Sequence, residues 1–486
     1  MKVKDIVIVG GGSSGWMAAA AISRCNDVSV TLVDKEVPTP LGVGEATLLS
    51  FEKFMVEQCG FDPNEFLAEL DAGLKAGILF KDWGHKGNEI WLPFYWLNYP
   101  FSDPPVSMVD AWSTSQDIDF KKLEVLYQCS MDNIIDRTQI GEGYAVHIDC
   151  IKLIKYIKEK ISDRITYVNS SVKDISGNIL DLENGDQIYA DLFIDCTGFK
   201  SILKRKRDRV NLSDRLYVDT AVAGPIEYED KHNEFRPYTT TTAVYDGWIW
   251  NTPLQSRIGT GLVFNRNITS IDQAKEYFCS FWNQRTTPDK LKVIDWTPYY
   301  DTNQWDGNVV SIGLSAGFIE PLESTGLALM IRGCEYLEEC MYACVYNPHY
   351  EPDVYNVRMK VAFESAVDYI TMHYTYSQRK GKFWDYVRQN VKKPGMQEFM
   401  EGQINDPLEV TFQNDRTSSF FGGSNWHVWL LQLMPEVVPK QYWHTLSSDI
   451  VPRFENYINT LHNNVNEATP QKIFLKEWYG QKNYMV

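Results

Sequence analysis

At 486 residues, with 44% apolar and 23% charged side chains, the chain is globular in composition and long enough for two intimately packed parts. Its 64 acidic and 47 basic residues leave a formal net charge of −17, which repels phosphate backbones and excludes nucleic acid and anionic lipid as partners. Nine scattered cysteines without a CxxC pair exclude a secreted disulfide framework, and no His or Cys spacing completes a metal site; Cys340 and Cys344 read as packing thiols. No apolar run reaches the ~18 residues of a membrane span, and the N-terminus runs directly into a strand, so a soluble, cytoplasmic protein is expected. The aromatic share of 13%, with 15 Trp, fits a large core, an interface or a pocket for a flat organic molecule, and composition does not choose among them.

The first predicted strand, Asp5 to Val9 (DIVIV), is a β-branched run suited to burial on both faces. It ends in Gly10-Gly11-Gly12-Ser13-Ser14-Gly15, followed by the small-residue helix start Trp16 to Ala21. A second strand, Val28 to Val33, closes on Asp34, nineteen residues beyond Gly15. Strand, glycine turn, helix, strand and terminal acid together predict a βαβ dinucleotide site. Gly10 permits the tight turn, Gly12 the approach of a pyrophosphate, Gly15 close helix–strand packing, and Asp34 a bond to a ribose hydroxyl. No second copy of this fingerprint follows; Gly259-Thr260-Gly261 runs into a strand, so no separate nicotinamide domain is expected.

Further along, Phe94 to Pro105 (FYWLNYPFSDPP) is too rich in proline for a regular helix or inner strand. Asp191 to Gly198 (DLFIDCTG) is an apolar strand with a Thr-Gly turn, similar to the segment that returns to the cofactor in FAD-binding oxygenase folds. The run Lys204 to Arg209 (KRKRDR) reads as a solvated loop. Trp248 and Trp250 alternate on a strand and read as core; Glu320 and Glu323 have the spacing of a helix-terminal acidic pair. From about Ile331 helical periodicity dominates, with no linker, so a boundary near residue 340 is expected to be a packing boundary.

Four segments carry a resemblance: Gly42-Val43-Gly44-Glu45-Ala46-Thr47; Lys75 to Phe80 with Trp83; Trp248-Ile249-Trp250-Asn251-Thr252-Pro253; and Phe318 to Gly326, which contains Glu323-Ser324-Thr325-Gly326. With the N-terminal fingerprint they resemble the flavin-dependent halogenases typified by tryptophan halogenases. Tyr144-x-x-His147-x-Asp149, His373-Tyr374, Phe383-Trp384 and the stretch from Trp426 extend the likeness through most of the chain. The resemblance implies an α/β fold: an FAD-binding Rossmann-type (aromatic hydroxylase/GR2-like) domain over residues 1–340, with inserted substrate-site segments at about 75–110. A mainly helical C-terminal substrate subdomain over 341–486 follows.

It further implies that reduced FAD (FADH2), supplied by a separate flavin reductase, reacts with oxygen and halide (chloride, bromide or iodide) to give hypohalous acid. The acid travels inside the protein to halogenate a small, electron-rich aromatic substrate, and a homo-oligomer is compatible with this. Carried over residue by residue, Lys75 takes the family's lysine role. Glu323 is the carboxylate that steers the acid or takes the ring proton, and Ser324 relays between flavin and lysine. Backbone N–H groups of Thr325 and Gly326 hold halide. FAD falls to Gly10, Gly12, Ser13, Ser14, Gly15, Asp34, Gly44, Glu45, Ala46, Gly198 and Gly313. Phe94 and Trp91 (with Tyr95 and Trp96 beside them) fall where an aromatic guest binds, and Trp248 and Trp250 become a wall between guest and flavin.

Three positions depart from the family pattern. Thr252 replaces an Ile, Gly313-Leu314 lacks the usual Asp or Asn toward the ribityl chain, and Leu92 stands where a substrate-sandwiching His is expected. No segment matches the grip on an amino-acid ammonium and carboxylate, which favours a less polar indole or phenol over free tryptophan. The rival readings are an FAD-dependent aromatic hydroxylase and a non-catalytic flavin-binding protein.

Overall fold

The computed structural model describes residues 3–35, 43–94, 98–99, 106–107, 119, 121, 124–136, 143–204, 206–346, 352–395, 421, 423–433, 450–463, 469–471 and 475. Gly42, Tyr95, Trp96, Arg205, residues 434–439 and the side chain of Cys344 lie outside the described residues.

The predicted βαβ unit is present: β1 (Asp5–Val9), α1 (Ser13–Ile22) and β2 (Ser29–Asp34). These two strands sit inside a six-stranded sheet ordered Thr166–Asn169, β2, β1, Leu192–Asp195, Val309–Ser311, Trp305–Asp306. Its neighbours are parallel except for the last, antiparallel pair. Helices cover one face of this sheet, against Ile6 and Ile8, and the strands Val172–Ser176 and Ile179–Leu182 cover the other, against Val7 and Val9, which is why β1 carries no polar alternation. The alanine run of α1 is buried from Gly15 to Ile22 and packs against the helices Cys150–Lys160 and α2 (Thr325–Tyr346).

A second, seven-stranded sheet is antiparallel apart from one parallel pairing. Its order is Lys292–Asp295, Thr220–Ile226, Ile258–Phe264, Gly247–Pro253, Thr239–Val244, Gly77–Lys81, Glu89–Pro93. Trp250 lies opposite Gly261 across two of these strands, and a side chain at Gly261 would collide with the indole ring. A small third sheet places Ala145–Ile148 between Glu45–Ala46 and Gly73–Lys75, with Ala145 opposite Lys75 and His147 opposite Ala46. Lys75 therefore ends one strand while Gly77 opens another in the larger sheet. Ala76, at the switch, donates its N–H to the Pro237 carbonyl at 2.7 Å. A side chain at a point where the chain changes sheets is held from both sides, so its direction is set by two hydrogen-bond ladders.

The helical part begins with α2, which runs unbroken through residue 340, then α3 (Asp353–Thr375), α4 (Lys382–Asn390) and α5 (Gly423–Leu433). One apolar core extends from Ile6 to Leu475 and joins both parts. Among the described residues no helix is long and apolar enough to cross a membrane.

One expectation is corrected. Lys204 does not belong to a solvated run: its ammonium is 3.0 Å from the Asp301 carboxylate, and both side chains are 1% exposed. Asp301 also accepts the backbone N–H groups of Asp208 and Asn303, so it anchors the loop and supplies the charge partner that a buried lysine requires.

Candidate active site

The glycine turn opens into a cavity of about 490 Å³ that runs from Gly12 to the start of α2. Gly10 adopts φ +107°, a region in which only glycine is unstrained, and a side chain there would meet the Cys196 carbonyl. A side chain at Gly15 would meet the Gly10 carbonyl, so this glycine serves helix–strand contact as its spacing implied. At Gly12 the opposite holds: a Cβ would have open space around it. Gly12, Ser13 and Ser14 border the cavity, and no side chain caps the first turn of α1. Its N–H groups are thereby available to an anion such as a pyrophosphate.

Gly44, Glu45 and Ala46 line the same cavity, as do Gly198 and Gly313. Asp34 does not line it; the carboxylate lies against Gly11, beside the turn. Glu45 is open toward the cavity but enclosed by protein, and burial raises its carboxyl to about 7. Leu314 also borders the cavity, so the position that sequence marked as unable to accept a ribityl hydrogen bond is at the cofactor end. Four cavity-lining side chains have buried polar atoms that find no protein partner among the described residues: Thr241 Oγ1, Trp296 Nε1, Glu320 Oε2 and the Tyr355 hydroxyl. A long, mostly apolar cavity with a phosphate seat at one end and a few unused polar atoms suits FAD.

Gly12→Leu follows as a test. The fold has room for the side chain, whereas a phosphate approaching the turn does not. Thermal stability is expected to stay within about 1 kcal/mol of wild type while FAD affinity falls at least ~30-fold, measured by melting and by flavin fluorescence titration.

On the wall of the same cavity the chain is bent by two consecutive non-glycine residues with positive φ, Glu323 (+62°) and Ser324 (+57°). Each such residue costs roughly 1–3 kcal/mol, and such strain is concentrated at functional sites. The bend directs Glu323 and Ser324 to the cavity wall and starts α2 at Thr325. The Thr325 hydroxyl turns back onto the carbonyl of Glu320 (3.3 Å), and a side chain at Gly326 would meet nothing within 4 Å. The first N–H groups of α2 therefore stand at the cavity wall with space in front of them, a seat fit for a halide.

Lys75 is fully buried. Its Nζ donates to the Thr47 carbonyl and to Ser324 Oγ, both at 2.9 Å, and lies 4.8 Å from the Phe94 ring centre. Burial lowers its ammonium from an ordinary 10.5 to about 7, with Glu323 acting in the opposite sense. A neutral amine has two N–H bonds and one lone pair. It can make both hydrogen bonds and keep the lone pair for an electrophile.

Glu323 Oε1 lies 2.8 Å from Nε2 of His373 on α3, and His373 Nδ1 lies 2.7 Å from the Tyr369 carbonyl. A carbonyl only accepts, so Nδ1 carries hydrogen, and the Nε2–Oε1 contact then holds one proton between the two groups. The imidazole is caged by Trp429 at 4.1 Å, Tyr369 at 4.7 Å and Phe80 at 5.2 Å between ring centres. Sequence reading placed His373 in a familial helix but assigned it no role; its only local signal is Tyr369 one turn earlier.

Trp248 and Trp250 both border the cavity, and the Trp248 indole N–H donates to the Tyr374 hydroxyl at 2.7 Å. Phe94 stands next to Lys75, where a guest ring is expected. Trp91 is elsewhere: it is fully buried, its N–H donates to Glu124 at 2.8 Å, and its ring packs on Gly77. Glu124 also caps the helix that follows it, accepting from Leu126 and Tyr127, so the indole is committed to a structural contact. The expected substrate role of Trp91 is replaced by one in the core.

A glycine-turn seat for a nucleotide and a helix start open to an anion on one cavity, with a buried amine hydrogen-bonded to Ser324 on its wall, fit the flavin-dependent oxidoreductase class. This chain belongs to the tryptophan halogenase family, whose profile matches residues 5–448. Tryptophan 7-halogenase RebH of Lentzea aerocolonigenes is 26% identical over 539 aligned residues, covering 99% of each chain. A solved tryptophan halogenase from Shewanella frigidimarina superposes with a TM-score of 0.87 at 22% identity, over 99% of this chain and 98% of that one. The flavin-dependent halogenase Xcc4156 from Xanthomonas campestris gives 0.85 at 24%, over 98% and 99%. The expected Rossmann-type fold with a helical region holds, and the chain is an oxidoreductase that halogenates an aromatic substrate with reduced FAD and halide.

Proposed function

We propose that the chain halogenates a small, electron-rich indole or phenol, with Lys75 delivering the halogen and Glu323 receiving the ring proton. The observation that carries this reading is the fully buried Lys75 amine, 2.9 Å from Ser324 on the wall of the cofactor cavity. Reduced FAD, when bound, supplies with dioxygen the oxidising equivalent that converts halide to hypohalous acid. The residues of the chain do the rest. Gly12, Ser13 and Ser14 seat the phosphates, with Gly44, Glu45, Ala46, Gly198 and Gly313 along the cofactor, and Gly10, Gly15 and Asp34 frame the turn. The N–H groups of Thr325 and Gly326 bind halide without being oxidised by its products.

Trp248 and Trp250 bar the organic ring from the cofactor end, which directs oxygen chemistry away from hydroxylation. Ser324 bridges cavity and amine, and Lys75 presents the halogen to a ring resting against Phe94. Relatives such as RebH are named for tryptophan. Here Leu92 stands in place of the expected sandwiching His, and no residues matching an amino-acid grip are recognised, so a less polar aromatic is the better guest. A separate flavin reductase supplies the reduced cofactor.

The test is incubation of the purified protein with FAD, a flavin reductase, NADH, oxygen, bromide and a panel of indoles and phenols, with product masses read in the presence of a hypohalous-acid scavenger. A halogenated product that survives the scavenger is expected. Gain of oxygen without halogen would instead identify a hydroxylase, and no product with any halide a flavin-binding protein.

A further inference from the structure

Glu320 has no part in the scheme above, yet its setting is unusual. It borders the cavity, three residues before Glu323, and is 1% exposed. An indole N–H can only donate, so the Tyr374 hydroxyl accepts from Trp248 and must place its own proton elsewhere. The acceptor is Glu320 Oε1, at 2.6 Å. The other oxygen, Oε2, is buried and has no hydrogen-bond partner among the described residues. With Oε1 committed as an acceptor, a proton on this acid sits on Oε2. Burial raises the carboxyl to about 8, and only the Tyr374 hydrogen bond opposes it.

We propose that Glu320 is a neutral hydrogen-bond donor on the cavity wall that holds hypohalous acid by its oxygen. This rests on the halogenase reading above and adds a binding residue to it. The chemistry suits the task. A carboxylic acid is inert to hypohalous acid, unlike a thiol, thioether or amine, and a neutral donor attracts its oxygen without attracting a cation. Wired to Trp248 through Tyr374, the carboxyl cannot swing away from the aromatic wall.

The experiment compares wild type with Glu320→Gln, which keeps a neutral donor, and Glu320→Leu, which removes it. In the FAD-loaded protein at pH 7, infrared difference spectra between ordinary and ¹³C-glutamate-labelled samples are expected to contain a protonated-carboxyl carbonyl band that Glu320→Gln abolishes. In turnover, the ratio of halogenated product to acid caught by an external scavenger is expected to fall ~10-fold in Glu320→Leu and less than ~3-fold in Glu320→Gln. Absence of the band from wild type overturns the proposal. So does a Glu320→Leu protein that binds FAD and partitions like wild type. Wild type that makes no halogenated product overturns the halogenase reading instead, with the band still readable.

Discussion

Lys75→Met is expected to lose halogenation by at least ~10³-fold, to bind FAD normally and to resist unfolding better than wild type near neutral pH. The activity loss follows from removing the amine proposed to carry the halogen past Ser324. The stability gain follows from the cost of the amine. In the unfolded chain the lysine ionises with a value near 10.5, and in the folded protein near 7. Between those values the unfolded state holds a proton that the native state lacks. Stability therefore rises with pH from about 7 to about 10.5, and the amine is most costly below that window. At pH 7 the difference is on the order of 4 kcal/mol, an upper bound because the Met side chain gives up the bonds to Thr47 and Ser324. Denaturant titrations at several pH values should show a slope in wild type that the variant lacks.

The same ionisation separates two ways in which Lys75 can act. A neutral amine forms a nitrogen–halogen bond as water leaves, whereas an ammonium polarises hypohalous acid through a hydrogen bond. Because the neutral form satisfies both observed hydrogen bonds and retains its lone pair, turnover is expected to rise through pH 7. A fall through the same pH would assign the role to the charged form.

The part of this molecule that sequence makes legible is the part written in short range. The βαβ unit is one strand, one turn and one helix in succession, and Gly10 and Gly15 answer to atoms within it or one strand away. The reactive cluster was legible only through the matched segments, since Lys75 and Ser324 are 249 residues apart and nothing local pairs them. Where neither applied, reading failed for one reason. Trp91 is fixed by Glu124 and by Gln432, the latter 341 residues away, and Lys204 by Asp301. The Trp248–Tyr374–Glu320 chain and the His373–Glu323 pair likewise join a strand or a bend to a distant helix. An aromatic beside a suspected site and an aromatic in the core have the same sequence signature. The polar partner decides which it is.

Glu323→Gln is expected to lower kcat ~10²-fold with little change in KM or FAD affinity. The amide keeps the size and the contact to His373 but has no lone-pair oxygen basic enough to take the proton from the halogenated ring. In wild type the contact to His373 holds one proton, and the caged imidazole, fixed by the Tyr369 carbonyl, keeps Oε1 occupied. The remaining oxygen is left to face the cavity and the substrate, and a ring proton arriving there is shared by the pair rather than stored on one isolated buried acid. His373→Gln, which retains a donor to Glu323 but no exchangeable ring proton, should cost less, about tenfold in kcat. A substrate deuterated at the reacting carbon distinguishes this from loss of orientation. Attack of the ring on the halogen breaks no C–H bond and is expected to limit the wild-type rate, so no isotope effect is expected there. Once Glu323 is an amide, removal limits the rate and a primary isotope effect should appear. If Glu323→Gln slows turnover without one, the carboxylate steers the oxidant and another group takes the proton.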